Sequence, residues 1–264
     1  MKMKPSQSTT TGHATWRALA TAGALASLLG LAGTASAQQA AAAPVINPGA
    51  IEALKTMGAY LRTLKSFTVR AETTTDEVLD SGQKLQFAGS FEMRAKMPDR
   101  LRLDLKSDRK QRSLYYNGKT VTQYAPRLNY YGSVAAPGTV RETLSAAATK
   151  YDLSVPLADL FFWGTDQAGI EDIKSAIYIG PSQVGGLECD HYAYRQEGTD
   201  WQLWIRSGKT PLPCKLVITT MDMPSQPQHT TTLRWDLNAP VDDKTFNFAP
   251  PKGAKKIEIA AAAK

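Results

Sequence analysis

Apolar and polar side chains alternate with a period of two along residues 85–105. Odd positions carry apolar or small side chains and most even positions carry polar ones, with turn residues at Pro98 and Asp99. This alternation predicts two β-strands joined by a turn, with one apolar face and one charged face. The apolar face contains Leu85, Phe87, Gly89, Phe91, Met93, Ala95, Met97, Leu101, Leu103 and Leu105.

The same period begins at Ser66 and recurs in short segments separated by turn residues such as Asn117-Gly118 and Gly185-Gly186. We predict about ten or eleven strands and interpret them as sequential antiparallel neighbours. Beyond residues 66–105, the predicted strands are 111–116, 119–124, 129–134, 175–179, 187–196, 201–206, 213–221, 229–237 and 245–248.

Three segments instead have helical spacing. Asn47 can cap a helix with Pro48 at its first position. The apolar face of this helix contains Ile51, Leu54, Met57 or Gly58, Leu61 and Leu64. An amphipathic helix is predicted over 139–151, and a short, very apolar one over 156–163. We therefore predict an α+β fold, in which the helices cover the concave face of one large curved antiparallel sheet.

The first 37 residues have the pattern of a secretory signal peptide. Three basic residues lead to an apolar run at 18–31, and Ala35-Ser36-Ala37 supplies a cleavage site after Ala37. The run is short for a membrane span and no cysteine follows the site, which disfavours a retained anchor and an acylated lipoprotein. We expect a periplasmic protein with a disordered lead at 38–46, one domain at 47–258 and a tail at 259–264.

Charge and length narrow the class of partner. Cleavage would remove Lys2, Lys4 and Arg17 and lower the formal net charge from +7 to +4. No basic block interleaved with aromatic residues remains, so we expect no nucleic acid partner. The length left suits one all-β domain, and we expect a monomer.

Candidate chemistry is sparse. Gly118-Lys119-Thr120 and Gly208-Lys209-Thr210 resemble the end of a phosphate-binding loop, but both lack its first glycine and are interpreted as hairpin turns. No nucleophile elbow occurs, and Asp190 and His191 point to opposite faces of one strand. We expect no enzyme activity and no cofactor, and we interpret His229 as an exposed residue that opens a strand.

Two cysteines, Cys189 and Cys214, follow the predicted cleavage site. Cys189 and His191 share one side of a strand, but no paired metal-binding spacing accompanies them, so we expect no metal site. An oxidising compartment favours a disulfide. Their predicted positions on the first and third strands of a meander oppose a disulfide, because two strand spacings amount to about 10 Å, which is farther than a disulfide can span. The disulfide and the pair of free thiols both stay open as alternatives.

Several motifs resemble the periplasmic lipoprotein-carrier superfamily, LolA/LolB-like. They are Leu64-Lys65-Ser66-Phe67, the turn at 96–100, residues 116–126 and the closing segment 246–254. Residues 151–160 and 200–205 look closer to an uncharacterised branch of predicted periplasmic proteins. The resemblance implies an unclosed β-barrel with a helical lid over an apolar cavity. The carriers commonly have a lid-holding arginine before the proline of the turn, whereas this chain has Met97.

We therefore expect a soluble periplasmic protein that binds an apolar ligand, a lipid or the acyl chains of a lipoprotein, between sheet and lid. The predicted cavity liners are Phe87, Phe91, Met93, Met97, Leu101, Leu103, Leu144, Leu160, Phe161 and Trp163. Many of them would also suit a plain core. The alternative is an envelope sensor or interaction protein with a filled core, which contacts a protein partner through its polar edges or through the strands carrying Tyr130-Tyr131 and Trp201 and Trp204.

Overall fold

The computed structural model describes residues 45–136, 138–151, 157–163, 165 and 169–260. The predicted signal peptide and its cleavage site lie outside these residues, as do most of the predicted lead and the end of the predicted tail. The described residues contain two α-helices, α1 (Pro48–Thr63) and α2 (Val140–Tyr151). Within the described ranges, neither helix is long and apolar enough to cross a membrane.

All strands of the described chain belong to one twelve-stranded sheet. They are β1 (Ser66–Val78), β2 (Lys84–Lys96), β3 (Arg100–Ser107), β4 (Gln111–Tyr116), β5 (Thr120–Ala125), β6 (Tyr130–Ala135), β7 (Ser175–Val184), β8 (Leu187–Gln196), β9 (Thr199–Arg206), β10 (Pro213–Thr220), β11 (Gln228–Asp236) and β12 (Lys255–Lys256).

The sheet consists of two antiparallel meanders. The first contains β1 to β6 and the second contains β7 to β11, and they are joined by the pairing of β1 with β11. The order of the sheet is β12-β6-β5-β4-β3-β2-β1-β11-β10-β9-β8-β7, and β1 pairs with β11 from Thr68 opposite Asp236 to Thr75 opposite His229. β6 and β7 are therefore far apart in the sheet, although they are consecutive in the chain. The predicted α+β fold with an open antiparallel sheet is confirmed, but purely sequential pairing is wrong at these two places.

The alternation at 85–105 corresponds to β2 and β3 as predicted. Met93 lies opposite Val69 on one side and Leu103 on the other, and all three are buried. On the other face, Glu92 forms ion pairs with Arg70 and Arg94. Because a one-residue shift would place the charges in the core, the register is strongly specified.

Helix α1 covers the inner face of the second meander. The Asn47 side chain accepts hydrogen bonds from the backbone N–H groups of Gly49 and Ala50, and Pro48 occupies the first turn. The buried hydroxyl of Tyr194 in β8 donates to the carbonyl of Ala50 at 2.9 Å. The predicted helix and its cap are therefore confirmed, and the helix is fixed to the sheet.

Helix α2 covers the first meander. The backbone N–H of Val140 donates to the carbonyl of Pro98 at 2.8 Å. Val140 and Leu144 join the hydrophobic core that contains Leu101 and Leu103. The third predicted helix is reduced to a 3-10 turn at Ala158–Phe161, and its expected start at Pro156 lies outside the described residues. We call residues 157–163 the lid segment.

The predicted strand at 245–248 is wrong. The Asp242 side chain accepts a hydrogen bond from the backbone N–H of Lys244 and caps a 3-10 turn, Asp243–Phe246, which buries Phe246 completely. Residues 245–248 alternate polar and apolar side chains over only four positions, which is too short to specify a strand, and the aspartate cap favours the turn. The chain returns to the sheet as β12, which pairs in parallel with β6.

Candidate apolar binding site

A cavity of about 440 Å³ lies between the end of α1, the start of β1 and the lid segment. We call it the lid cavity. It is lined by Leu61, Arg62, Leu64, Lys65, Phe67, Met97, Pro98, Arg141, Phe161 and Trp235. Among the residues whose side chains are described, none in this lining is acidic.

Aromatic rings form the floor of the lid cavity. The ring of Phe67 lies 5.3 Å from that of Trp235 and 6.3 Å from that of Phe161, measured between centroids. The indole N–H of Trp235 donates to the carbonyl of Pro213 at 2.8 Å, which satisfies its polar group. The floor therefore presents apolar surface, and the antiparallel pairing of β1 with β11 brings Phe67 and Trp235 together.

Two arginines fasten the lid segment at the rim. Arg62 in the last turn of α1 donates from Nη1 to the carbonyl of Trp163 at 2.9 Å. Arg141 in the first turn of α2 donates from Nε to the carbonyl of Phe161 at 3.1 Å. Because both bonds go to backbone carbonyls, they hold the segment without depending on its side chains. Met97 lines the cavity and has no donor for such a bond.

Comparison with known proteins places the chain in a family. A model of the predicted periplasmic proteins termed DUF2092 matches residues 50–260. The chain belongs to this family. The expected resemblance to a branch of predicted periplasmic proteins is confirmed, and the family description agrees with the expected periplasmic location. Cleavage after Ala37 stays a prediction.

Solved structures similar to this DUF2092 chain have low identity. LprF from Mycobacterium bovis is 15% identical, with a TM-score of 0.45 over 80% of this chain and 99% of that one. The lipoprotein LppX from Mycobacterium tuberculosis is 13% identical, with a TM-score of 0.46 over 74% and 98%. A LolA superfamily protein from Nitrosomonas europaea is 11% identical, with a TM-score of 0.35 over 75% and 97%. Comparison with curated proteins finds no match. At these identities and TM-scores, the alignments say nothing about ligand or partner.

The predicted liners of the DUF2092 chain are distributed over several places. Met97 and Phe161 line the lid cavity, whereas Trp163 lines a neighbouring cavity of about 200 Å³ together with Trp201 and Ile218. Phe87 and Phe91 border a separate depression of about 220 Å³. The remaining described liners, Met93, Leu101, Leu103 and Leu144, are buried in the core and border none of these cavities. For Leu160, only the backbone is described.

Sequence reasoning missed the basic rim and Trp235. Helical spacing assigns Leu61 and Leu64 to the apolar face of α1 but not to a cavity, and no motif marks Arg62 or Arg141. The only local signal was the position of both arginines next to predicted helix ends. Trp235 lies on the inner face of β11, but its approach to Phe67 depends on the unpredicted pairing of the first and last long strands.

His229 does not have the exposed position expected of it. Its ring lies half-buried on the inner face between two threonines, with Nδ1 2.8 Å from Thr75 Oγ1 and Nε2 3.0 Å from Thr231 Oγ1. Burial lowers the pKa of His229 below its ordinary value. The ring is therefore a neutral polar link between neighbouring strands.

The geometric objection to a cysteine pair is wrong. Cys189 in β8 and Cys214 in β10 flank β9 as expected, yet their Sγ atoms are only 2.7 Å apart. The register between β9 and β10 shifts between Pro213 and Lys215, and this bulge contains Cys214. A bulge re-aims a side chain, which the regular strand spacing did not allow for. Within the described ranges, no three His, Cys, Asp or Glu side chains are grouped to hold a metal ion.

Proposed function

We propose that the protein is a periplasmic, non-catalytic binding protein that accepts an apolar ligand in the lid cavity. The ligand is a lipid or the acyl chains of a lipoprotein. The observation that carries the proposal is an aromatic and aliphatic cavity of about 440 Å³ beneath a segment fastened by two hydrogen bonds to its backbone carbonyls. Small-molecule sites span about 300–1,000 Å³ and are mostly apolar with a few placed polar groups.

The energies favour opening the lid for a hydrocarbon chain. Breaking the bonds from Arg62 and Arg141 costs about 0.5–1.5 kcal/mol each, and exposing the ring of Phe161 costs about 1.5–3 kcal/mol. Burial of acyl CH₂ groups contributes about 0.8 kcal/mol each, so ten groups supply about 8 kcal/mol before ordering costs. A long acyl chain therefore compensates for displacement of the lid segment, whereas a small apolar molecule with a few carbons does not.

Filling the lid cavity tests the proposal. Leu64 is half-buried at the cavity, so Leu64→Trp adds bulk inside it. Leu128→Trp is the matched control, because Leu128 is 63% exposed in the turn between β5 and β6. Uptake of a fluorescent long-chain fatty acid should fall at least about tenfold for Leu64→Trp, equivalent to the loss of about two buried CH₂ groups. The control should bind like the wild type.

Failure of the wild type to take up the fatty acid would contradict the proposal. It would favour the alternative, an interaction protein with a filled core, which is supported by the tight burial of Met93, Leu101 and Leu103. The surfaces expected for that alternative are partly covered. Trp201 stacks on Tyr194 at 4.1 Å, and the ammonium group of Lys215 lies 4.7 Å from the ring of Trp204.

A further inference from the structure

Among the described residues, the charged side chains that line the lid cavity are all basic. Arg62, Lys65 and Arg141 are the ionisable side chains in its lining. Among the described residues, none of the three forms an ion pair. Elsewhere on the sheet, some neighbouring charges are paired, as in Arg70–Glu92 and Arg195–Asp200. The described lining of the lid cavity instead presents three cations and no acidic partner.

Within the described ranges, each rim arginine uses only one of its donors. A guanidinium group has five N–H donors and an ammonium group has three. Arg62 uses Nη1 for the carbonyl of Trp163, and Arg141 uses Nε for that of Phe161. The remaining N–H groups of both arginines, and those of Lys65, can bind carboxylate or phosphate oxygens by charge-assisted hydrogen bonds.

We propose that the ligand is an anionic amphiphile. Its hydrocarbon chain occupies the lid cavity, and its carboxylate or phosphate group lies among Arg62, Lys65 and Arg141. This inference rests on the proposed function and adds the class of head group. It also fixes the orientation of the ligand, with the head group at the ends of α1 and α2 and the chain on the aromatic floor. A cationic amphiphile is repelled by the same rim.

Head-group preference can be measured with matched dodecyl probes, namely dodecanoate, dodecyl phosphate, dodecanol and dodecyltrimethylammonium. Each would displace the neutral dye N-phenyl-1-naphthylamine from the purified protein at low salt. Exposed ion pairs contribute about 0.2–1 kcal/mol each, so three cations should tighten binding of both anions about tenfold relative to dodecanol. High salt should narrow the difference. The two anions separate a carboxylate from a phosphate preference.

One variant tests whether the preference for an anionic head group depends on the rim cations. Lys65→Gln leaves both lid-holding arginines in place and should weaken binding of the preferred anion about threefold, with dodecanol unchanged. Lys209→Gln, an exposed lysine in the turn between β9 and β10, is the control and should change nothing.

Equal affinities for dodecanol and the anions would overturn the anionic preference and leave an apolar site intact. An anion preference that Lys65→Gln does not change would overturn the placement of the head group at this rim. If neither the dye nor any dodecyl probe binds, the proposed function itself fails. These three results are distinguishable in one set of titrations.

A separate observation concerns Cys189 and Cys214, whose thiols are 2.7 Å apart and buried beside Trp204 and Val217. We infer that they form a disulfide in the exported protein. Each thiol loses a proton and the pair loses two electrons to a disulfide donor, a protein or small-molecule disulfide, which is reduced to two thiols. Bacterial periplasm maintains such oxidants.

Burial lowers the reactivity of both thiols in the folded protein. It raises the pKa of both thiols above their ordinary value, because a thiolate is poorly solvated among apolar groups. The thiolate is the attacking species in exchange, so the folded dithiol reacts slowly. Once formed, the bond lies buried beside Trp204 and Val217, which shield it from reductants.

Thiol counting by intact mass tests the inference on protein purified from the periplasm. The unfolded protein should take up no iodoacetamide before reduction and two alkyl groups after it. Cys214→Ser should leave one reactive thiol at Cys189. Two labels before reduction, or a bond between two copies of the chain, would overturn the inference.

Discussion

Truncation of Phe161 to alanine measures how firmly the lid segment is attached. The ring is only 8% exposed, yet one side of it borders the lid cavity. Phe-to-Ala changes in a filled core cost about 3–5 kcal/mol, because both transfer energy and packing contacts are lost. A ring that borders empty volume has no partner atoms on that side. We therefore expect Phe161→Ala to lower the free energy of unfolding by about 2 kcal/mol.

Equilibrium urea unfolding followed by circular dichroism provides the measurement. Phe246→Ala is the matched control, because Phe246 is fully buried away from the cavity and should cost about 3–5 kcal/mol. Added long-chain fatty acid should raise the free energy of unfolding of the wild type, and it should raise that of Phe161→Ala by less. Equal losses for the two variants would refute the reasoning, because Phe161 would then be ordinary core.

Three further predictions test other parts of the structure. Because burial holds the pKa of His229 below its ordinary 6.5, the unfolded chain binds more protons as the pH falls through that value. Tm should then fall on acidification, and His229→Gln should reduce this fall in thermal scans from about pH 7.5 to pH 5. If Cys189 and Cys214, which are 25 residues apart, form the inferred disulfide, its reduction should lower the free energy of unfolding by about 3.5 kcal/mol in urea titrations with and without reductant. Asn47→Ala should cost about 1 kcal/mol in the same titration, because two N–H groups of α1 lose their acceptor.

Side-chain periodicity predicted most of the elements but not their pairing. The alternation at 85–105 specifies which face of β2 and β3 is buried, and Asn47-Pro48 specifies the start of α1. Periodicity determines the buried face of a strand and says nothing about its partner. The pairing of β1 with β11 is therefore the main feature that the sequence left undetermined.

The candidate site was predictable only in part, for the same reason. From the sequence, Met97 could be identified as an apolar residue beside a turn, and Phe161 as part of a strongly apolar segment. Arg62 and Arg141 become a pair only when α1 and α2 approach the lid segment from different parts of the chain. The proximity of the two cysteines depends on one bulge at Cys214, and no local pattern marks that bulge.

Native mass spectrometry of protein gently purified from the periplasm tests the central claim most directly, because it detects a ligand without assuming its identity. We predict that the wild type and Leu128→Trp carry a co-purified anionic lipid or acyl chain, and that Leu64→Trp is ligand-free while still folded. A wild type that is ligand-free and also fails to take up added long-chain fatty acid would contradict the account.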